Sequence, residues 1–426
     1  MKSLFPIFKN NPTLVYLDTA ATSLKPRQVI SAQTDYDTKF SANIHRGFYQ
    51  ISQTASQLYD HSRQNIADFI GADFSEIIFT SGTTASINLI AHSWGELNIS
   101  SGDEIIVSGM EHHSNFIPWQ QLAIKKNAIL KIIPVTVDFT LDLDSLSRLI
   151  TSKTKLVALT HISNVLGTIN PIKDIVHLVK KINPETKILI DAAQSIAHLP
   201  VNVVDLGIDF LAFSGHKMYG PTGVGVLWVK QDNYSHMSPS SFGGGAISQV
   251  SVDTTVFQDP PQCYEPGTPP ISQIIALSQA VDFITSIGWS KIMSHESKLT
   301  QYALQKLSSF KHLKIIGPID SRSGVIAFVF DHPGLPAPHD LGDILSHQFN
   351  LAIRTGFHCA MPLHSQFGLD TGTSRLSFGI YNTSSDIDTL IEGLKLSLIH
   401  ISEPTRLLSI SYAVFCLKKK NKNSMH

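Results

Sequence analysis

Residues 210–229 read Phe-Leu-Ala-Phe-Ser-Gly-His-Lys-Met-Tyr-Gly-Pro-Thr-Gly-Val-Gly-Val-Leu-Trp-Val. Two apolar runs, 210–213 and 224–229, have the length and composition of buried strands. The turn between them carries Gly, Pro and the polar side chains Ser214, His216 and Lys217. A lysine amine between two buried strands is unfavourable as a cation unless it is neutralised or used covalently. Attachment of an aldehyde cofactor to Lys217 does both. The commoner alternative is a stem lying along the strand end with its amine in water.

Upstream, one pattern recurs: apolar strand, polar strand end, helix. Residues 76–80 run into Ser81-Gly-Thr-Thr-Ala85, and residues 104–107 end near Glu111-His-His-Ser-Asn115. Residues 156–159 end at His161-Ile-Ser-Asn164, and 187–190 at Asp191-Ala-Ala-Gln194. Helical periodicity falls between them, notably at 116–127 and 172–182. This alternation predicts an α/β fold with a largely parallel sheet and right-handed crossovers, whose ligands collect at the carboxyl ends of the strands. His112, Asn164, Asp191, Gln194 and Lys217 all fall at such ends. Each alone reads as a capping residue; five at one sheet edge read as a site. Ser81-Gly-Thr83-Thr84 opens a helix after a strand, which suits a phosphate held by free backbone N–H groups, although Ser and Thr are also ordinary caps.

The flanking segments suggest a second unit. A short strand at 14–18 and a helix opened by Pro26 precede a polar break, Asn43-Ile-His45-Arg46-Gly47, and a long helix at 52–70. Residues 231–270, rich in Gly, Pro and Ser, read as an extended loop or hairpin. Helices at 272–286 and 291–307 follow. Strands at 324–330, 351–354 and 373–378 with helices at 339–348 and 385–394 form a smaller α+β unit. Its loop Arg354-Thr-Gly-Phe-His-Cys359-Ala-Met-Pro362 holds a cysteine beside Arg354 and His358, cations that favour a thiolate. The expected organisation is a large domain over 22–290, a small domain from 1–21 with 291–396, and a tail at 397–426 outside the pattern, artefactual or disordered. Its opening Ser397-Leu-Ile-His-Ile-Ser-Glu-Pro-Thr-Arg406 resembles a translated sequencing adapter.

Composition narrows the function. Of 426 residues, 42% are hydrophobic and 16% charged, which fits a large buried core. Thirty-three Lys+Arg against 34 Asp+Glu leave a net charge of -1, with no basic footprint for nucleic acid. The three cysteines, Cys263, Cys359 and Cys416, form neither a disulfide framework nor a metal-ligand spacing, so no metal is expected and a reducing, cytoplasmic setting is the default. No apolar stretch has the length of a membrane span.

Taken together, Ser214-Gly-His-Lys217, Asp191-Ala-Ala-Gln194, Glu111-His112-His113, Ser81-Gly-Thr-Thr84, the Cys359 loop, Arg375 and Tyr381-Asn-Thr383 resemble the class V aminotransferase-like enzymes that use pyridoxal 5'-phosphate. Within them the similarity is to the SUF-type cysteine desulfurases, close to selenocysteine lyases, over about residues 10–395. The resemblance implies the fold type I architecture of pyridoxal-phosphate transferases, with a mostly parallel seven-stranded sheet in the large domain. It also implies a homodimer that takes sulfur from L-cysteine (L-selenocysteine is not separated from it) and passes it to an acceptor protein for iron–sulfur cluster assembly.

The resemblance further implies residue roles. Lys217 anchors the cofactor and moves the substrate α-proton, Asp191 faces the ring nitrogen, Gln194 the ring hydroxyl, and His112 the ring face. Thr83, Thr84, Ser214 and His216 hold the phosphate, with Thr268 reaching in from a neighbouring subunit. Arg375 and Asn164 take the substrate carboxylate, with His45 and Arg46 on the substrate side. Cys359 accepts the sulfur as a persulfide. Departures from the family pattern are Phe357 where His is usual, Ala246-Ile247 for Glu-Met, Pro266 for Ala, and Ala85 for an acidic residue. Two other readings stay open: a class V lyase or transaminase in which Cys359 is incidental, and an inactive scaffold in sulfur transfer.

Overall fold

The computed structural model describes residues 1–402, with side chains through Leu398. Its first strand, β1 (Val15–Tyr16), precedes a long helix, α1 (Gln50–Ile70). The chain then lays down β2 (Ile77–Thr80), α2 (Thr83–Ile90), β3 (Glu104–Ser108), α3 (Ile117–Lys126) and β4 (Ile129–Ile133). There follow β5 (Thr154–Thr160), α4 (Ile172–Ile182), β6 (Lys187–Asp191), β7 (Phe210–Ser214) and β8 (Gly225–Val229). These seven strands from β2 to β8 form one sheet in the order β2-β8-β7-β6-β5-β3-β4. Pairing is parallel from β4 through β7, and antiparallel on both sides of β8.

Strand periodicity builds a core on each face of this sheet. Ile106, Val157, Ile188, Ile190, Leu211 and Phe213 enter one apolar cluster, and their neighbours Ile105, Leu156, Ala158, Leu189, Phe210 and Ala212 enter the other. Both faces being covered is what makes these strands continuous apolar runs. The helices are bounded locally: α3 has Pro118 in its first turn and ends on Asn127, whose φ of 53° is left-handed.

A hairpin, β9 (Ile247–Val250) with β10 (Thr255–Phe257), stands out of the 231–270 segment. Helices α5 (Ile271–Ile287) and α6 (Trp289–Leu307) lead to β11 (Leu313–Ile316), β12 (Val325–Phe330), α7 (Pro338–Phe349), β13 (Leu351–Ala352) and β14 (Arg354–Gly356). Short helix α8 (Met361–Gln366), β15 (Thr373–Ser377) and α9 (Ser384–Ser402) complete the described chain. A second sheet has the order β11-β12-β15-β14, and β1 pairs separately with β13. Its core joins Leu17, Ile326, Phe328, Leu376, Phe378, Leu390 and Leu394.

Three readings from the sequence change. The expected strand at 351–354 is two strands with different partners, β13 on β1 and β14 on β15. Strands β4 and β11 were not anticipated; both lie at sheet edges, and one lysine, Lys131 or Lys314, interrupts each short apolar run. Helix α9 does not stop before the expected tail but continues through 397–402, with buried Ser397 donating to the Gly393 carbonyl at 2.7 Å. The remainder of that tail lies outside the described residues. Among the described residues no single helix is long and apolar enough to cross a membrane; α5 and α6 qualify only as a pair, bent by 79°.

Candidate active site

The carboxyl ends of β3, β5, β6 and β7 share one edge of the large sheet, because these strands are parallel and in register: Thr160 faces Asp191, and Asp191 faces Ala212. Strand β2 runs with β7, since both are antiparallel to β8, so the amino terminus of α2 opens at the same edge. A cavity of about 190 Å³ lies there, lined by Thr83, Thr84, His112, Asn164, Asp191, Ser214, His216, Lys217, Arg354, His358 and Arg375 among others. The topology thus gathers most of the residues singled out from the sequence.

Lys217 sits in a short 3-10 turn directly after β7. Burial lowers its basicity, Arg375 and Arg354 add to that, and Asp191 and Cys359 oppose it. No hydrogen bond or ion pair within the described residues holds its amine. Asp191 is 4% exposed; one carboxylate oxygen accepts the Ala193 N–H at 2.9 Å, and none of the described residues donates to the other. Burial raises the Asp191 pKa and the Lys217 charge lowers it.

His112 caps the turn after β3, its Nδ1 accepting the Ser114 N–H at 3.1 Å. Burial foremost, then the Lys217 charge, push its pKa down to about 3, so the ring is a neutral face on the cavity. Ser214 Oγ accepts the Thr83 N–H at 2.8 Å and meets Thr83 Oγ1 at 2.7 Å. Gly82 lets this contact form, because a Cβ there would stand 3.2 Å from Ser214 Oγ, at a φ of +151°. The result is a hydroxyl-rich cup at a helix amino terminus, the geometry that receives phosphate. Burial lowers the His216 pKa to about 4.

The second sheet supplies the opposite wall. Arg375, 1% exposed, donates Nη2 to Asp18 at 2.8 Å and Nη1 to the Asn164 carbonyl at 3.0 Å, while its Nε has no partner among the described residues. The Asn164 side chain donates to the His358 carbonyl at 2.8 Å, so Asn164 ties Arg375 to the cysteine loop. His358 is buried, its Nε2 at 2.9 Å from Thr373 Oγ1 and its Nδ1 without a partner among the described residues. Cys359 is half-buried and free. Phe357 packs edge-on to His364, at 5.5 Å between ring centres.

Five sequence candidates are not among the residues that line this cavity: Cys359, whose neighbour His358 does line it, and four others. Gln194 is buried beside it, but its amide donates to the Ala20 carbonyl at 2.8 Å. His45, Arg46 and Thr268 line a separate cleft together with Asp60, Gln258 and Glu265. Sequence reasoning also missed three contributors. Asp18 was read only as a strand end, and Arg354 only as a neighbour of Cys359, yet Arg354 lines the cavity and no ion pair or side-chain hydrogen bond of the described residues holds it. Glu111 is buried behind His112, accepting from Ser108 Oγ, Asn115 Nδ2 and the Thr160 N–H. Its place directly before His112, just past the end of a buried strand, was the available signal.

The chain belongs to the aminotransferase class-V family, whose model matches residues 15–390. Among its relatives, a probable cysteine desulfurase of Halalkalibacterium halodurans is 43% identical over 399 residues, covering 93% of this chain and 96% of that protein. One of Staphylococcus epidermidis is 45% identical over 396 residues, with 92% and 94% covered. The apo cysteine desulfurase structure of Thermococcus onnurineus superposes with a TM-score of 0.88 at 37% identity, covering 93% of this chain and 97% of that one. The Escherichia coli cysteine desulfurase CsdA gives 0.86 at 34% identity, with 94% and 98% covered.

Pyridoxal 5'-phosphate, the cofactor of this family, fits the donor set. The Asp191 oxygen that none of the described residues satisfies suits a protonated ring nitrogen, the Lys217 amine suits the aldehyde, and the Thr83–Ser214 cup suits the phosphate.

Proposed function

We propose that this chain is a pyridoxal-phosphate-dependent cysteine desulfurase that converts L-cysteine to L-alanine and leaves a persulfide on Cys359, supplying sulfur for iron–sulfur cluster assembly. The observation that carries this reading is the placement of a free cysteine on a loop that Asn164 holds beside the cavity of Lys217, with the adjacent His358 in the cavity wall. The family and its similarity to cysteine desulfurases support it.

In this reading Lys217 anchors the cofactor and, freed from it, moves the substrate α-proton, for which its lowered basicity suits it. Asp191 keeps a proton on the ring nitrogen, His112 covers a ring face, and Thr83, Thr84, Ser214 and His216 hold the phosphate. When bound, the cofactor supplies an electron sink for the substrate α-carbon. Arg375 and Arg354 present positive charge to the substrate carboxylate, Arg375 through an Nε that has no partner among the described residues, with Asn164 holding Arg375 in place.

Cys359 thiolate forms a bond to the substrate sulfur as the substrate Cβ–S bond breaks. The bonding pair goes to carbon, which takes a proton to become the alanine methyl group. One cysteine and one thiol therefore become one alanine and one persulfide, with no external oxidant. An acceptor thiolate of a SUF-system protein then takes the outer sulfur, forming its own persulfide and returning Cys359 to the thiolate. His45, Arg46 and Thr268 share one cleft away from the cavity, which supports a homodimer in which they complete the partner's site. A cytoplasmic setting agrees with free Cys263 and Cys359.

The test is alanine released from L-cysteine by cofactor-loaded protein, beside the Cys359→Ala variant. Alanine from the parent alone supports the proposal. Alanine from both moves the chemistry away from Cys359, and alanine from neither, with cofactor bound and an acceptor supplied, overturns it.

A further inference from the structure

The loop that carries Cys359 is an unusual one. His358 and Cys359 both adopt left-handed backbone, at φ of 49° and 58°, although neither is glycine. Such conformations persist in non-glycine residues only where surrounding contacts over-determine them. Contacts on both sides of Cys359 do this, and two of them come from one residue. The main-chain N–H of His113 donates to the Cys359 carbonyl at 2.7 Å, and His113 Nε2 accepts the Met361 N–H at 3.1 Å. His113 follows His112, whose ring faces the cavity, with ring centres 6.4 Å apart.

We infer that His113 is a positioning residue that clamps the nucleophile loop, holding Cys359 in register with the cavity wall formed by His112. The main-chain bond fixes the loop on Cys359 itself, and the ring bond fixes it two residues later, at the first turn of α8. Together they leave the loop no freedom to swing about Cys359. The ring bond requires Nε2 to be an unprotonated acceptor. Burial lowers the basicity of His113, which favours that form. The assignment deepens the desulfurase reading and rests on it for the identity of the transfer, but the clamp itself is testable without turnover.

His113→Ala removes the ring bond and keeps the main-chain one. His113→Gln restores an acceptor at a reach similar to Nε2. Both variants are prepared as holoenzyme with matched cofactor content. Hydrogen–deuterium exchange of the 357–364 segment and the alkylation rate of Cys359 by iodoacetamide, without cysteine, are then measured beside single-turnover alanine formation. Opening of the loop should raise exchange and alkylation about tenfold in His113→Ala, lower single-turnover alanine formation about tenfold, and leave all three near parent values in His113→Gln. If His113→Ala folds poorly, His113→Asn, polar but too short, replaces it under the same outcomes. Exchange and alkylation within twofold of the parent overturn the clamp, and so does a Gln variant that behaves like Ala. Loosened exchange in a protein that makes no alanine at all would uphold the clamp and count against the desulfurase reading alone.

Discussion

Arg354 and Arg375 stand directly opposite one another on β14 and β15. Like charges at directly paired positions destabilise an antiparallel sheet, and here Asp18 neutralises only Arg375. The pair therefore holds an excess of positive charge against the cavity, at a cost that a bound carboxylate relieves. Replacing Arg354 by Gln should raise stability in the absence of substrate by about 0.5 kcal/mol, as expected for removing one like-charge cross-strand contact. The same change should raise the KM for cysteine about tenfold, as for loss of one charge-assisted contact. Denaturant unfolding and steady-state kinetics read the two effects, and a variant that is weaker in both would refute the account.

Asp18→Ala leaves the buried Arg375 guanidinium without its counter-charge. Breaking a fully buried pair costs about 3–5 kcal/mol; a fifth of the Asp18 side chain reaches solvent, so about 2 kcal/mol is expected. Urea unfolding of the cofactor-free protein measures it. No change in midpoint would mean that the Asn164 carbonyl alone satisfies Arg375.

Gly225→Ala should be among the most damaging single-methyl additions. A Cβ at residue 225 would stand 2.4 Å from the Gly82 Cα and 2.7 Å from the Phe213 carbonyl oxygen, both main-chain atoms that cannot step aside. Strands β2 and β7 would be pushed apart beside the Thr83–Ser214 cup. About 3 kcal/mol of stability should be lost, with weaker retention of phosphate. Cofactor content after dialysis, together with the unfolding midpoint, tests this.

His198 bonds through Nδ1 to both carboxylate oxygens of Glu296, at 2.8 and 2.9 Å, where the turn after β6 meets α6. Burial acts to lower its pKa, but the Glu296 charge and hydrogen bonds outweigh that, and the pKa is raised. A histidine raised above its unfolded value contributes stability that is fully present below about pH 6.5 and is lost as pH rises through the folded pKa. His198→Gln should therefore show its largest deficit at pH 6 and a smaller one at pH 9. Equal deficits at both pH values would show that the pair is not ionic.

Thr268→Ala and Lys217→Ala chains should each be weak or inactive alone if Thr268 completes the partner's site. Mixed under exchange conditions, they should regain activity, because one site of each hybrid dimer is intact. Absence of recovery, with hybrids verified by mass, would place Thr268 outside catalysis.

The strand ends were legible from the sequence because buried parallel strands leave an unmistakable local trace: short apolar runs closed by polar residues. Asp191, Lys217 and the Thr83 cup could be placed at one edge on that basis alone, and α4 was read to its terminal residues. Edge strands β4 and β11 left a weaker trace, each a short apolar run interrupted by a lysine, Lys131 and Lys314.

What the amino-acid sequence determined by itself was the α/β class, the strand-end chemistry and a cysteine in a polar loop, all of which depend on near neighbours. Tertiary structure alone decided which groups meet. Asp18 finds Arg375 across 357 residues of chain, His113 reaches Met361 across 248, and Gln194 turns to Ala20 across 174. It also sent His45, Arg46 and Thr268 to a cleft of their own. Side-chain periodicity reports whether a residue is buried, but pairing energies fall off within a few ångströms. Which partner satisfies a buried charge is therefore settled only when the two sheets close on each other.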